Sequence, residues 1–249
     1  MTPRVDVVIL TWNDGALLDA ALSSALASEG VAVEVVVVDN GSDPPANVPD
    51  RPDVHLLRQE QNLGVAPGRA KGVARCTAPY VCLLDSDARL HPRALSRLIG
   101  RLEALPEVAL VGPVFDGQRP EESGGRAPSV LDKVARGLGW RDDYRRVGAP
   151  GGSWWEVDFV IGACQVFRRT AHDDIGGLDT SIFYGPEDVD FCLRLKAAGH
   201  RVVQVGDAGC HHPARRRNRR LLTRRGLAHA WQVGRYVRRH RRPMAAVGR

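Results

Sequence analysis

"YVCLLDSDARL", residues 80–90, is an apolar run that ends in two carboxylates one residue apart. A strand this uniformly apolar needs cover on both faces, the condition of a parallel sheet packed between helices. Its polar end then lies where such sheets hold their ligands, outside the carboxyl ends of the strands. Asp85 and Asp87 repel each other at this spacing, and no basic residue follows until Arg89. The pair suits a hard divalent cation, which takes one or two carboxylates and grips phosphates with its remaining positions. The plainer reading is a turn that Ser86 or Asp87 makes after a strand.

Outward from this stretch the pattern repeats. "VDVVILTWN" (5–13), "VAVEVVVVDNGS" (31–42), "DVHLLRQ" (53–59) and "EVALVGPVF" (107–115) read as strands. "GALLDAALSSALAS" (15–28) has helical spacing, "VAPGRAKGVARC" (65–76) reads as a helix weakened by glycine, and 91–104 is a helix that Pro92 starts well. Strands alternating with helices predict an α/β domain with a mostly parallel central sheet. Three strands end in polar clusters: Thr11-Trp12-Asn13, Asp39-Asn40-Gly41 and Asp85-Ser86-Asp87. In one sheet those ends share an edge, so they point to a common site.

Residues 116–153 are polar and rich in glycine and proline, without a period, and read as a long loop of the kind that forms lids and substrate walls. "WEVDFVIGACQVFRR" (155–169) is strand-like with a break at Gly162, and "EDVDFCLRLKAAGHRVVQV" (187–205) is a helix closed by Gly199 and followed by a strand. The tail, 214–242, sets Leu221, Leu227, Trp231 and Val237 among arginines and reads as a helix.

The chain of 249 residues, 43% hydrophobic, is long enough for one large domain. No stretch approaches the roughly 20 apolar residues of a membrane span. The N-terminus passes straight into a patterned strand, and no signal peptide is expected. Five cysteines, never spaced C-x-x-C, read as reduced thiols of a cytoplasmic protein. The net charge of +6 conceals an asymmetry: from Ala208 onward there are thirteen arginines, no lysine and no acid, which leaves −7 on the preceding residues. Such a tail suits phosphates, whether of a membrane surface, a substrate or a nucleic acid, or is simply a solvated helix.

Each remaining acid has two readings. Asp39 either makes an Asx-type turn into Asn40-Gly41 or accepts a hydrogen bond from a nucleotide. Glu187, Asp188 and Asp190 either complement a helix N-terminus, with Asp190 pairing Arg194, or include a general base. His211-His212 is either structural or supplies one imidazole to the metal sphere begun by Asp87.

The order and spacing of "VVILTWN", "VEVVVVDNGSD", "QNLGVAPGRAKG", "LLDSDARL", "VIGACQVFRR" and "GPEDVDFCLRLKAAGHRV" resemble the successive motifs of the family 2 glycosyltransferases, most of all their rhamnosyltransferase-like members. The resemblance implies a GT-A fold: a single Rossmann-like catalytic domain over 1–212, with a donor half (1–114) and an acceptor half (115–212), followed by the arginine-rich helical tail, 213–249. It implies inverting transfer of a sugar from a UDP- or dTDP-sugar, including dTDP-rhamnose, to an acceptor hydroxyl, with Mn2+ or Mg2+ as cofactor. The acceptor would be a glycan, a lipid-linked sugar or a small molecule. By the same resemblance, Asp39 contacts the base, Thr11, Trp12 and Asn13 line the nucleoside pocket, and Arg69 lies near the diphosphate. Asp85, Ser86 and Asp87 form the D-x-D motif, with Asp87 the direct metal ligand, and Gly162 and Ala163 turn beneath the donor sugar. Asp188 is the base, Glu187 supports it or binds acceptor hydroxyls, and His211 completes the metal site. Ala70 and Trp12 depart from the family's usual asparagine and tyrosine. The tail would rest on the anionic inner face of a membrane or bind substrate phosphates, and no nucleic-acid partner is expected. Rival readings are a sugar-nucleotide pyrophosphorylase, which lacks its expected phosphate loop here, a non-catalytic nucleic-acid binder and an inactive transferase.

Overall fold

A computed structural model of the chain describes residues 2–116, 123–127 and 153–213. The arginine-rich tail and most of the irregular 116–153 region lie outside the described residues.

The alternation expected from sequence is present. β1 (Arg4–Thr11), β2 (Ala32–Asp39), β3 (Val54–Arg58) and β4 (Tyr80–Asp85) alternate with α1 (Gly15–Leu26) and α2 (Val65–Val73). Then come β5 (Arg89–Leu90), α3 (Ala94–Ala104), β6 (Val108–Asp116), β7 (Gly124–Gly125), β8 (Trp154–Glu156) and β9 (Phe159–Val160). β10 (Cys164–Arg168), α4 (Arg169–Asp174), α5 (Glu187–Ala197) and β11 (Arg201–His211) complete the described elements. Strand order in the main sheet is β3-β2-β1-β4-β10-β6-β11-β5, with β8 also on β11.

The β3-β2-β1-β4 half is parallel throughout, and β6 and β11 run the same way. β10 lies between β4 and β6 and runs antiparallel to both. The strands are buried on both faces, as their apolar runs demand. Val5, Val7, Ile9, Cys82 and Leu84 pack into one core with α1 and α3, while Val8, Val81 and Leu83 pack into a second core with α2 and α5. Alternate residues of one strand thus serve opposite layers.

The strand read across 155–169 is three short strands. β8 pairs with β11, β9 turns away to pair with β7, and β10 enters the main sheet after Gly162. Asp158 anchors the departure by accepting from the Ala127 amide at 3.0 Å and pairing with Lys196 at 2.7 Å. The glycines of α2 are packing requirements. A Cβ at Gly68 would lie 2.6 Å from Leu10 Cδ1, and one at Gly72 would lie 2.3 Å from Val8 Cγ1. The helix therefore lies closer to β1 than any side chain permits. All five cysteines are buried and unpaired. No helix among the described residues is long and apolar enough to cross a membrane.

Candidate active site

The loops after β1 and β2 are joined into one wall at the carboxyl edge of the sheet. Thr11 and Asp39 are partners in the parallel register. Asn13 adopts a left-handed conformation (φ 57°), which asparagine tolerates better than most residues. In that pose its amide donates to Ser42 Oγ at 2.9 Å, and its Oδ1 accepts from the Asp43 amide at 2.8 Å. Thr11 is 1% exposed, and its hydroxyl has no hydrogen-bond partner among the described residues. Trp12 stands half-buried beside it.

Asp39 is 0% exposed, and the geometry carries its turn reading. Its Oδ1 accepts from the Ser42 amide at 2.9 Å, its Oδ2 accepts from the Ala46 amide at 2.9 Å, and Arg58 pairs with Oδ2. Burial alone would raise its pKa, but donation from Ser42 and Ala46 together with the Arg58 charge holds it below the ordinary value. Asn40, buried beside it, accepts from the Leu63 amide and donates to the Gly64 carbonyl, which fixes the loop entering α2. Arg58 and Asn40 went unassigned in the sequence. Asn40 lay in the polar cluster that ends β2, but nothing local signalled where its amide reaches.

Asp85 ends β4, and its amide donates to the Ala163 carbonyl at 2.9 Å, so the turn after β9 is tied to the end of β4. Ser86 is buried between the two aspartates. Asp85, Asp87 and His212 each present a ligand atom, and these atoms lie within 4.8 Å of one another. His212 Nε2 is 3.4 Å from Asp87 Oδ1, and the ring packs against Phe115. The expectation that His211 joins this group is corrected. His211 Nδ1 lies 2.7 Å from Asp116 Oδ1, and His91 Nε2 lies 2.9 Å from the other oxygen of Asp116. Adjacent residues at the end of a strand face opposite ways, so only one of the two histidines can reach Asp87. The register of β11, which shifts between Val205 and Gly209, decides which one.

Arg69, which the resemblance sets near the diphosphate, lies beside Asp85 and is enclosed by the protein's own groups. Its side chain is 4% exposed, and its Nη2 donates to Asp85 Oδ1 at 2.5 Å and to the Gly162 carbonyl at 2.7 Å. Its Nη1 lies 3.4 Å from Glu187 Oε1. Burial would lower its pKa, but Asp85 and Glu187 hold it above the ordinary arginine value. A Cβ at Gly162 would come within 2.7 Å of Arg69 Nη1 and 3.2 Å of Asp188 Cβ, so glycine permits this approach.

Glu187 and Asp188 open α5, where the positive end of the helix favours acids. Asp188 Oδ2 accepts from the Gly162 amide at 3.0 Å, and Oδ1 accepts from the Val189 amide at 2.8 Å. Glu187 is strongly perturbed. Burial and the charge of Asp188 push its pKa up to about 7 against the pull of Arg69. Its Oε2 is buried without a hydrogen-bond partner among the described residues. Asp190 pairs with Arg194 at 2.8 Å, the helical ion pair that its spacing predicts. Contacts thus run without a break from Asp85 through Arg69 and Gly162 to Asp188. The arrangement can hold a divalent cation on one side and a fixed carboxylate on the other, with a glycine turn between them.

Comparison with known proteins gives the family and the fold. The family model described as glycosyl transferase family 2 matches residues 6–176. A pre-mycofactocin glycosyltransferase of Mycobacterium tuberculosis is 33% identical over 231 residues, which cover 90% of this chain and 45% of that protein. An N-acetylglucosaminyl-diphospho-decaprenol L-rhamnosyltransferase of the same organism is 28% identical over 239 residues, 86% of this chain and 78% of that protein. The chain therefore spans less than half the length of the first of these relatives. Among solved structures, GalNAc-T7 with UDP, GalNAc and Mn2+ superposes with a TM-score of 0.65 at 15% identity, over 86% of this chain and 44% of that one. The mannosyltransferase PcManGT from Pyrobaculum calidifontis, in complex with GDP-Man and Mn2+, gives 0.62 at 20% identity over 94% of this chain and 61% of that one.

Proposed function

Because the chain belongs to glycosyl transferase family 2 and has the GT-A fold, we propose that it transfers a sugar from a nucleotide-diphosphate donor to an acceptor hydroxyl with inversion. The observation that carries this reading is the juxtaposition of Asp85, Asp87 and His212 with the Arg69–Gly162–Asp188 contacts on one edge of the sheet. The pyrophosphorylase and nucleic-acid readings give way to the family match.

Two carboxylates and an imidazole fit a divalent ion, and the imidazole favours Mn2+ over Mg2+. Asp85, Asp87 and His212 would hold it. When bound, such an ion neutralises charge on a departing diphosphate. Thr11, Trp12, Asn13 and Ser86 line the nucleoside end, and Asp39 acts through the wall that it holds in place. Gly162 and Ala163 form the floor beneath the transferred sugar. Asp188, fixed by two backbone amides, retains lone pairs to take the acceptor proton as its oxygen attacks the anomeric carbon opposite the leaving group. Glu187 binds an acceptor hydroxyl beside it. The relative that acts on a decaprenol-linked sugar supports dTDP-rhamnose as a donor and a lipid-linked acceptor. Under that reading, the arginines beyond Ala214 meet an anionic membrane. Flotation of the full chain with phosphatidylglycerol vesicles, against a chain ending at Ala214, tests this: equal flotation dismisses it.

The central test is thermal stabilisation by UDP and dTDP, with and without Mn2+, followed by turnover of their sugars. Asp188→Asn lowers turnover by about 10²–10⁴-fold while donor binding stays intact. Near-full turnover by that variant would remove Asp188 from the role of base.

A further inference from the structure

The resemblance sets Arg69 near a diphosphate, and its side chain is already bonded within the protein. Both hydrogens of Nη2 are committed, one to Asp85 and one to the Gly162 carbonyl, while Nη1 faces Glu187. With 4% of the side chain exposed, the guanidinium is enclosed by the protein's own groups. Its position is built into three glycines. Gly68 and Gly72 bring α2 onto β1, which carries Arg69 down to the sheet edge, and Gly162 leaves room for the guanidinium to meet the chain. The residue anchored at one end by Arg69 is anchored at the other by the base: the Gly162 carbonyl accepts from Arg69, and the Gly162 amide donates to Asp188.

We propose that Arg69 is a positioning residue: it sets the separation between the cation-holding Asp85 and the base Asp188 without touching the donor's phosphates. This rests on the glycosyl-transfer reading above. A planar guanidinium directs several donors along fixed directions in one plane, so it can hold an aspartate, a backbone carbonyl and a glutamate at once. An ammonium carries the same charge but cannot keep those three acceptors in register. A misplacement of about 1 Å between reacting groups costs on the order of 10²-fold in rate.

The test uses Arg69→Lys, which preserves the buried positive charge beside Asp85 and Glu187, and Arg69→Ala with added guanidinium. Affinities for UDP and for uridine, or for dTDP and thymidine where wild type binds those instead, are measured by calorimetry with and without Mn2+. Turnover is read as UDP or dTDP released from UDP-glucose or dTDP-rhamnose, whichever wild type consumes. For Arg69→Lys the expected result is UDP and uridine affinities within about threefold of wild type but turnover lower by about 10²-fold. Millimolar guanidinium restores turnover to Arg69→Ala, and methylammonium does not. A merely structural role would lower thermal stability without this separation of turnover from affinity. Loss of UDP affinity both with and without Mn2+, with uridine affinity retained, would show a direct phosphate contact and overturn the proposal, as would unchanged turnover in Arg69→Lys. A wild type that binds neither UDP nor dTDP with Mn2+ would defeat the glycosyl-transfer reading and this inference together. A wild type that binds and turns over, with a variant that fails the pattern above, would defeat this inference alone.

Discussion

Replacing Glu187 by glutamine removes a pH dependence whose sign and size follow from where the side chain sits. Burial and the adjacent Asp188 raise the Glu187 pKa from the ordinary 4.5 to about 7. Between those values the folded protein holds a proton that the unfolded chain has already released. Wild-type stability therefore declines as pH rises from about 4.5 through about 7, and levels off above that. At about 1.4 kcal/mol per pH unit, the interval corresponds to about 3 kcal/mol. Glutamine has nearly the same shape, can still face Arg69 Nη1, and does not titrate, so the variant escapes this decline. Arg69 keeps Asp85 as a partner in the variant. The difference in Tm, Glu187→Gln minus wild type, should accordingly grow by about 6–12 °C between acidic and alkaline buffers, given about 2–4 °C per kcal/mol for a domain of this size. The assay is differential scanning calorimetry of both proteins in chelator-treated buffers spaced from below pH 5 to above pH 8. A difference that stays flat across that range, or that shrinks as pH rises, would refute the account of Glu187 as an acid held near neutrality by burial and its neighbour.

Three further outcomes test the geometry. His212→Ala should weaken Mn2+ binding by about tenfold or more, as loss of metal-site groups commonly does, whereas His211→Ala should leave it within about twofold; calorimetric titration with Mn2+ reads both. Gly162→Ala places a methyl group 2.7 Å from Arg69 Nη1, so turnover should fall by about 10²-fold while the fold survives, as read by circular dichroism and nucleotide release. Gly72→Ala forces a methyl group to 2.3 Å from Val8 Cγ1 and should lower stability by about 1–3 kcal/mol in urea unfolding with little effect on nucleotide affinity.

The residues differ in how legible they were. The α/β alternation was open to reading because a strand covered on both faces must be apolar throughout, and that requirement acts residue by residue along "VDVVIL" and "VEVVVV". The shared edge followed from the polar ends of those strands. β10 was visible as a strand, but its direction against β4 and β6 was not, because an apolar pattern is the same read either way. Asp39 carried two local readings, and its bonds to Ser42, Ala46 and Arg58 give the turn reading its partners. For Arg69 the resemblance gave only a position near the diphosphate. Nothing nearby in the chain announces that its partners are Asp85, Gly162 and Glu187, the farthest of them 118 positions away.

By itself the amino-acid order determined the layers of this protein, the edge at which its polar groups collect and the family of chemistry they belong to, because those depend on the character of short segments. Tertiary structure alone decided which histidine faces Asp87, which acids lie close enough to shift one another's protonation and which arginine is enclosed rather than offered to solvent. These are matters of register and of distance between remote segments, and a single irregularity such as the one in β11 is enough to exchange one neighbour for the next.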